Sequence, residues 1–236
     1  MPIVYAAGKR IFFAHIPKTG GSSLEIYLVD RFGGPLALRW REGEKKRGII
    51  SPSHHLSADD LKDVLERDID AFFAIVRNPL KRTLSQYMFQ SGHGNSIPSR
   101  FSFSTWLRIM KRCVELDPRV YRNHIRSQGE MIPEGSEIFK MEDGFAPVLA
   151  WLDEITGTTS DAEVGHHLKS VRKPVKLYRS DVELIHKLYA DDYEAFGYPQ
   201  EDLSDYPEDR FAALRAPIGW LLGTLVVFRQ RQKWLR

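Results

Sequence analysis

One junction constrains this chain more than any other. The apolar run Phe12-Phe13-Ala14-His15-Ile16 ends at Pro17, Lys18 and Thr19 follow, and Gly20-Gly21-Ser22-Ser23 lead into Leu24, Tyr27, Leu28 and Phe32 at the spacing of one helix face. This reads as strand, tight loop, helix. Such a junction aims several backbone N–H groups at one spot at the positive end of a helix, and glycines let an anion approach closely. Lys18 adds a mobile charge, and the hydroxyls of Thr19, Ser22 and Ser23 add donors. The guest that fits is a phosphate.

A second junction repeats the pattern. Ala71 to Val76 is continuously apolar, as a strand covered on both faces should be, and it ends in Arg77-Asn78-Pro79. Asn78 is placed to cap a helix that begins at Pro79 and carries Leu80, Leu84, Tyr87 and Met88. Glu137 to Met141 reads as a third strand, followed by a helix from Phe145 to Ile155. Strands alternating with helices predict an α/β fold: a three-layer, P-loop-like domain whose central, mainly parallel sheet is flanked by helices, with the phosphate loops at the carboxyl ends of the strands.

The loop is not that of a nucleotide triphosphatase. That pattern places lysine after the glycines and a hydroxyl for magnesium, whereas Lys18 precedes Gly20 and Gly21 and no upstream glycine stands at the required spacing. Instead, His15-Ile16-Pro17-Lys18-Thr19-Gly20-Gly21-Ser22-Ser23 resembles the 5′-phosphosulfate loop of sulfotransferases that use 3′-phosphoadenosine 5′-phosphosulfate (PAPS), above all the carbohydrate group related to heparan sulfate 2-O-sulfotransferases. The resemblance extends over Ile11 to Tyr198. It implies PAPS as co-substrate, no metal, and a glycan or other hydroxyl-bearing small molecule as acceptor. It also implies Lys18 and His55 as catalytic residues, with Lys18, Thr19, Gly20, Gly21, Ser22 and Ser23 on the 5′ end of the donor. Arg77 and Ser85, eight residues apart, match the family's pair for the 3′-phosphate, and a guanidinium suits a phosphate geometrically.

His55 stands two residues ahead of Ser57, which with Asp60 reads as a helix N-cap. An imidazole of ordinary pKa about 6.5 suits a general base. His54 is adjacent, and the sequence leaves the choice between them open. Arg126 and Gln128 lie in a polar stretch, Tyr121 to Gln128, where family members carry an arginine and a glutamine lining the site. The basic segment around Trp40 (Arg39, Arg41, Lys45, Lys46, Arg47) reads either as a lip over an anionic acceptor or as a solvated loop. The long loop from Thr156 to Val175, with His166, His167, Lys169, Ser170, Arg172 and Lys173, reads as a basic flap over the nucleotide, as a comparable loop closes in relatives; adjacent histidines point opposite ways on an extended chain and make poor metal ligands. Met1 to Gly8 reads as a short lead-in to a first strand over Lys9 to Ile16, Gly33-Gly34-Pro35 as the breaker of the helix that follows, and Phe103 to Val114 as a helix with Trp106, Ile109, Met110 and Cys113 inward. Asp181 to Phe196 reads as a helix closed by Gly197, Tyr198 and Pro199, and its ending, Tyr189 to Tyr198, resembles the family's closing helix.

With 236 residues the chain can bury one sizeable core, and the division expected is a sulfotransferase domain over 1–199 with a helical extension, docked or interfacial, over 200–236. A net charge of +3 suits an anionic donor and falls short of a nucleic-acid signature. The lone Cys113 allows no internal disulfide and reads as a small buried hydrophobe. No signal peptide is expected, nor any window of the roughly eighteen apolar residues that mark a membrane span. A cytoplasmic enzyme is the expectation, with 217–236, apolar to Phe228 and then basic, as a docked terminal helix or a peripheral contact with the inner face of a membrane. Two other functions stay open: a nucleotide-binding module of the same fold without transfer activity, and a P-loop kinase.

Overall fold

The computed structural model describes residues 1–33, 36–37, 55–62, 68–92, 101–165 and 174–234. The basic segment after Ala37, His54, and the His166 to Lys173 part of the expected flap lie outside the described residues. The chain forms two compact units, one built from Met1–Arg77 and Gln128–Lys169, the other from Asn78–Ser127 and Ser170–Arg236. The terminal segment beyond residue 199 thus belongs to the second unit.

The first unit is the α/β one. Strand β1 (Pro2–Ala6) runs antiparallel to β2 (Lys9–Ala14), and the helix α1 (Gly21–Phe32) follows the glycine loop. The short β3 (Leu36–Ala37) pairs with β1, α2 (Ala58–Lys62) precedes β4 (Ala71–Val76), and β5 (Glu137–Lys140) leads to α5 (Ala146–Thr156). Helices α3 and α4, which fall between β4 and β5 in the chain, belong to the second unit. The sheet order is β3-β1-β2-β4-β5. Its centre is parallel, β2 with β4 and β4 with β5, while β1 and β3 add an antiparallel edge.

The lead-in expected over Met1 to Gly8 is therefore a strand. Ala7 and Gly8 turn it back at φ 49° and 76°, the double left-handed conformation of a tight hairpin, here without the Asn-Gly dipeptide that announces one. Alternation sends Val4, Ala6, Ile11, Phe13, Phe73 and Ile75 to one face, where Leu24, Tyr27 and Leu28 of α1 and Val148 and Leu152 of α5 bury them. Phe13 stacks on Phe73 with centroids 4.9 Å apart, binding the two strands that carry the phosphate-type loops. Helix α1 stops at Gly33, left-handed at φ 79°, as the Gly33-Gly34-Pro35 breaker predicts.

The second unit is helical: α3 (Pro79–Ser91), α4 (Phe103–Leu116), α6 (Arg179–Leu188), α7 (Ala190–Ala195) and α8 (Ala212–Trp234). Asn78 caps α3 by accepting from the Lys81 N–H at 2.9 Å, and Trp106, Ile109, Met110 and Cys113 form the buried stripe of α4, both as expected. Burial pushes the Cys113 thiol up to about 12. The closing helix expected over Asp181 to Phe196 is broken at Tyr189 into α6 and α7. Glu201 ties both pieces to the α3 cap, accepting from Tyr193 at 2.7 Å and Asn78 at 3.0 Å and meeting His186 at 2.8 Å.

Inside α4 and α6 a buried ion pair, Arg108 with Asp181 at 2.7 Å, is completed by the Ser104 hydroxyl at 2.6 Å. Helix α8 corrects the expectation about membrane-length segments. It runs through Pro217, and Ala212–Gln232 is long and apolar enough to cross a membrane by length and composition.

Candidate active site

The loop after β2 is built by conformation and by close approach. Gly20 is left-handed at φ 85° and caps α1 with no side-chain hydrogen bond, and the first turn of α1 holds no acidic residue. The positive end of the helix thus has neither a capping side chain nor a carboxylate of its own to satisfy it. Gly21 is required for another reason: a Cβ there would stand 2.2 Å from Cδ2 and 2.3 Å from Nε2 of His15. The imidazole of His15 lies against the α1 backbone, with Nδ1 donating to the Glu25 carboxylate at 2.8 Å, one turn further along the helix. Strand end and helix start are locked together by that pair.

The side chains of the loop divide their work. Thr19 is fully buried, and its hydroxyl donates to the Ile16 carbonyl at 2.9 Å, so that proton braces the loop and what Thr19 can offer a phosphate is its backbone N–H. Ser22 and Ser23, in the first turn of α1, are half-buried. Lys18 is held left-handed at φ 71°, a conformation that strains any residue with a Cβ and that collects at functional sites. Burial, with the like charge of Arg77 added, lowers its ammonium from 10.5 to about 8.

Arg77 arrives from the neighbouring strand. Because β2 and β4 are adjacent and parallel, Phe13 level with Phe73, their carboxyl ends coincide. The Arg77 guanidinium donates to the Lys18 carbonyl at 3.1 Å. Gln128 fixes the Arg77 backbone from both sides: its side-chain oxygen accepts the Arg77 N–H at 2.9 Å and its NH₂ donates to the Arg77 carbonyl at 2.9 Å. Gln128 is fully buried. Its side chain therefore works as a strand edge would, presenting one acceptor and one donor to the end of β4.

His55 lies against the same loop. Its Nδ1 donates to the His15 carbonyl at 3.1 Å, and its ring meets that of His15 edge-on with centroids 5.0 Å apart. A carbonyl only accepts, so Nδ1 carries the proton and Nε2 is the basic nitrogen of the neutral ring. The predicted N-cap just beyond is present, Asp60 accepting from the Ser57 N–H at 3.1 Å and Ser57 Oγ accepting from the Asp60 N–H at 3.2 Å, which anchors the segment that carries the histidine.

The first unit thus brings together Lys18, Thr19, Gly20, Gly21, Ser22, Ser23, His55 and Arg77. Ser85 is buried on α3 of the second unit. Sequence reasoning gave Gln128 a place in the lining and gave His15 and Glu25 none. Their signals were present: a histidine two residues ahead of the Pro17 turn, and a carboxylate four residues after Gly21.

Among known families, the model described as the Sulfotransferase family matches residues 1–132, which include the glycine loop, His55, Arg77 and Gln128. No curated protein and no solved structure matches the chain. A charged loop at a helix N-terminus, an arginine on the next parallel strand and a family match over more than half of the sequence agree: the chain belongs to the Sulfotransferase family, a family of enzymes that transfer sulfuryl groups.

Proposed function

We propose that the protein is a PAPS-dependent O-sulfotransferase, moving a sulfuryl group to the hydroxyl of an acceptor, with a carbohydrate as the acceptor class that the resemblance implies. The observation that carries this reading is the contact of the Arg77 guanidinium with the Lys18 carbonyl, 3.1 Å. It supports the reading because a lysine and a fork-shaped cation at the ends of adjacent strands suit a nucleotide with two separated phosphate groups.

Sulfuryl transfer asks for an in-line acceptor oxygen and for fixed charge on the leaving group. Nε2 of His55 takes the proton of the acceptor hydroxyl as its oxygen forms the new bond to sulfur. The bond from sulfur to the bridging oxygen breaks, its electron pair stays on the 5′-phosphate, and the Lys18 ammonium and the N–H groups at the start of α1 meet that charge. Arg77 holds the 3′-phosphate. General-base help of this kind contributes roughly 10²–10⁴-fold.

The test compares thermal stabilisation by 3′-phosphoadenosine 5′-phosphate without metal against ATP with magnesium, followed by transfer of labelled sulfate from PAPS to a glycan panel. Stabilisation by the first alone and labelled product are expected. Arg77→Ala should weaken nucleotides bearing a 3′-phosphate selectively, and His55→Ala should remove transfer while donor affinity stays within about twofold. Preference for ATP with magnesium would make the protein a kinase, and donor binding without transfer to any acceptor would make it a binding module.

A further inference from the structure

Helix α8 has two apolar faces, and among the described residues only one is packed inside its unit. Gly219, Gly223 and Val227 form the inner face against α4. A Cβ at Gly219 would stand 2.5 Å from Cβ of Arg108, and one at Gly223 would stand 2.6 Å from Cβ of Arg112 and 2.8 Å from the Ile109 carbonyl. The backbones meet as closely as small residues four apart permit. The contact is fastened by polar groups: the Cys113 thiol lies 3.8 Å from the Gly223 carbonyl, Arg112 donates to Thr224 at 3.2 Å, Gln230 accepts the Tyr121 N–H at 3.0 Å, and Arg231 pairs with Asp117 at 3.1 Å.

Phe211, just ahead of the helix, and Leu214, Ile218, Leu221, Leu225 and Phe228 on its outer face follow one another in steps of three and four, one straight stripe. All six are exposed, Leu214 at 63% and Phe228 at 60%. The charge beside the stripe selects its occupant. From Arg210 to Arg236 there is no acidic residue, while Arg210, Arg215, Arg229, Arg231, Lys233 and Arg236 are basic. Of the arginines beside the stripe, Arg215 pairs with Asp209 and Arg231 with Asp117, and Arg210 and Arg229 add positive charge along its edge. An anionic surface complements a stripe whose segment carries basic residues and no acidic one.

We infer that α8 lies in the plane of an anionic bilayer surface, its outer stripe sunk at the boundary of headgroups and acyl chains and its inner face kept on α4. Crossing the bilayer would strip away the glycine contacts and the Arg231 pair, so the helix lies on the membrane and does not span it. The inference stands apart from the reaction proposed above, and donor binding is not its readout.

Sedimentation of the full chain with vesicles tests it. Binding to phosphatidylcholine vesicles containing phosphatidylglycerol should exceed binding to pure phosphatidylcholine by about tenfold, the factor expected of basic residues near a charged surface. High salt or carbonate should release the protein. The exposed double substitution Leu221→Glu/Leu225→Glu should abolish binding with Tm unchanged, and Arg229→Gln should weaken it about fivefold. Failure to bind either vesicle, equal binding to both, retention through carbonate extraction, or a dimer in solution that the double substitution dissociates would each overturn the inference.

Discussion

Lys18 concentrates the conflict between stability and function in one residue. It is left-handed at φ 71° and its charge is desolvated, and neither feature helps the chain fold. Below pH 8 the lysine is charged in both states and the cost of burying that charge is fully present. Between about 8, its folded value, and the ordinary 10.5, the unfolded chain holds a proton that the folded one has released, so stability rises with pH through that window. Lys18→Met should therefore raise Tm at neutral pH by roughly 2–4 °C, flatten that rise, and nearly abolish sulfuryl transfer while leaving binding of 3′-phosphoadenosine 5′-phosphate largely intact. A variant with lower Tm and full turnover would contradict both roles. Because a bound phosphate restores the charged lysine, calorimetry in buffers of different ionisation heat should show proton uptake on nucleotide binding at about pH 9 and none near neutrality.

Among the elements, the end of β4, held by Gln128, shows how context creates a site. Gln128→Met keeps the size of the side chain and leaves the N–H and carbonyl of Arg77 without its amide, a loss of about 1–3 kcal/mol. If the amide also positions the guanidinium, KM for the donor should rise more than kcat falls, and Gln128→Glu, which can still accept from the N–H, should recover part of it. A lowered Tm with unchanged KM would make the residue structural only. Preceding it, Tyr121, Arg122 and Asn123 are all left-handed, at φ 57°, 60° and 62°. Arg122 is exposed, so Arg122→Gly relieves strain without opening the core and should stabilise the protein by roughly 0.5–1 kcal/mol in denaturant titration. This turn read in sequence only as a polar stretch without period, because a left-handed run of tyrosine, arginine and asparagine has no local signature. Strand β4 and the capped start of α3 were legible because each rests on short-range chemistry, an apolar run and Asn-Pro. Strand β1 was not, because its Ala7-Gly8 turn lacks the usual side-chain signal and its partner lies across the hairpin.

For the whole molecule, α8 matters most to the second unit, since it supplies Val227 to a core otherwise built from α3, α4, α6 and α7 with the turn between α4 and Gln128. Gly223→Val should force the helix off α4, lower Tm by several degrees and lose cooperativity in the melt; an unchanged melt would mean that the close approach is not needed. Local sequence alone determined the α/β class, the two loops at strand ends, the caps of α2 and α3 and the buried stripe of α4, since all of these follow from periodicity and turn chemistry within a few residues. Only the tertiary structure decided that β2 and β4 are neighbours with Arg77 on Lys18, that Gln128 holds Arg77 from 51 positions away, and which face of α8 is left over. Those outcomes depend on which surfaces pack together, and contacts between residues far apart in the chain leave no period in the sequence between them.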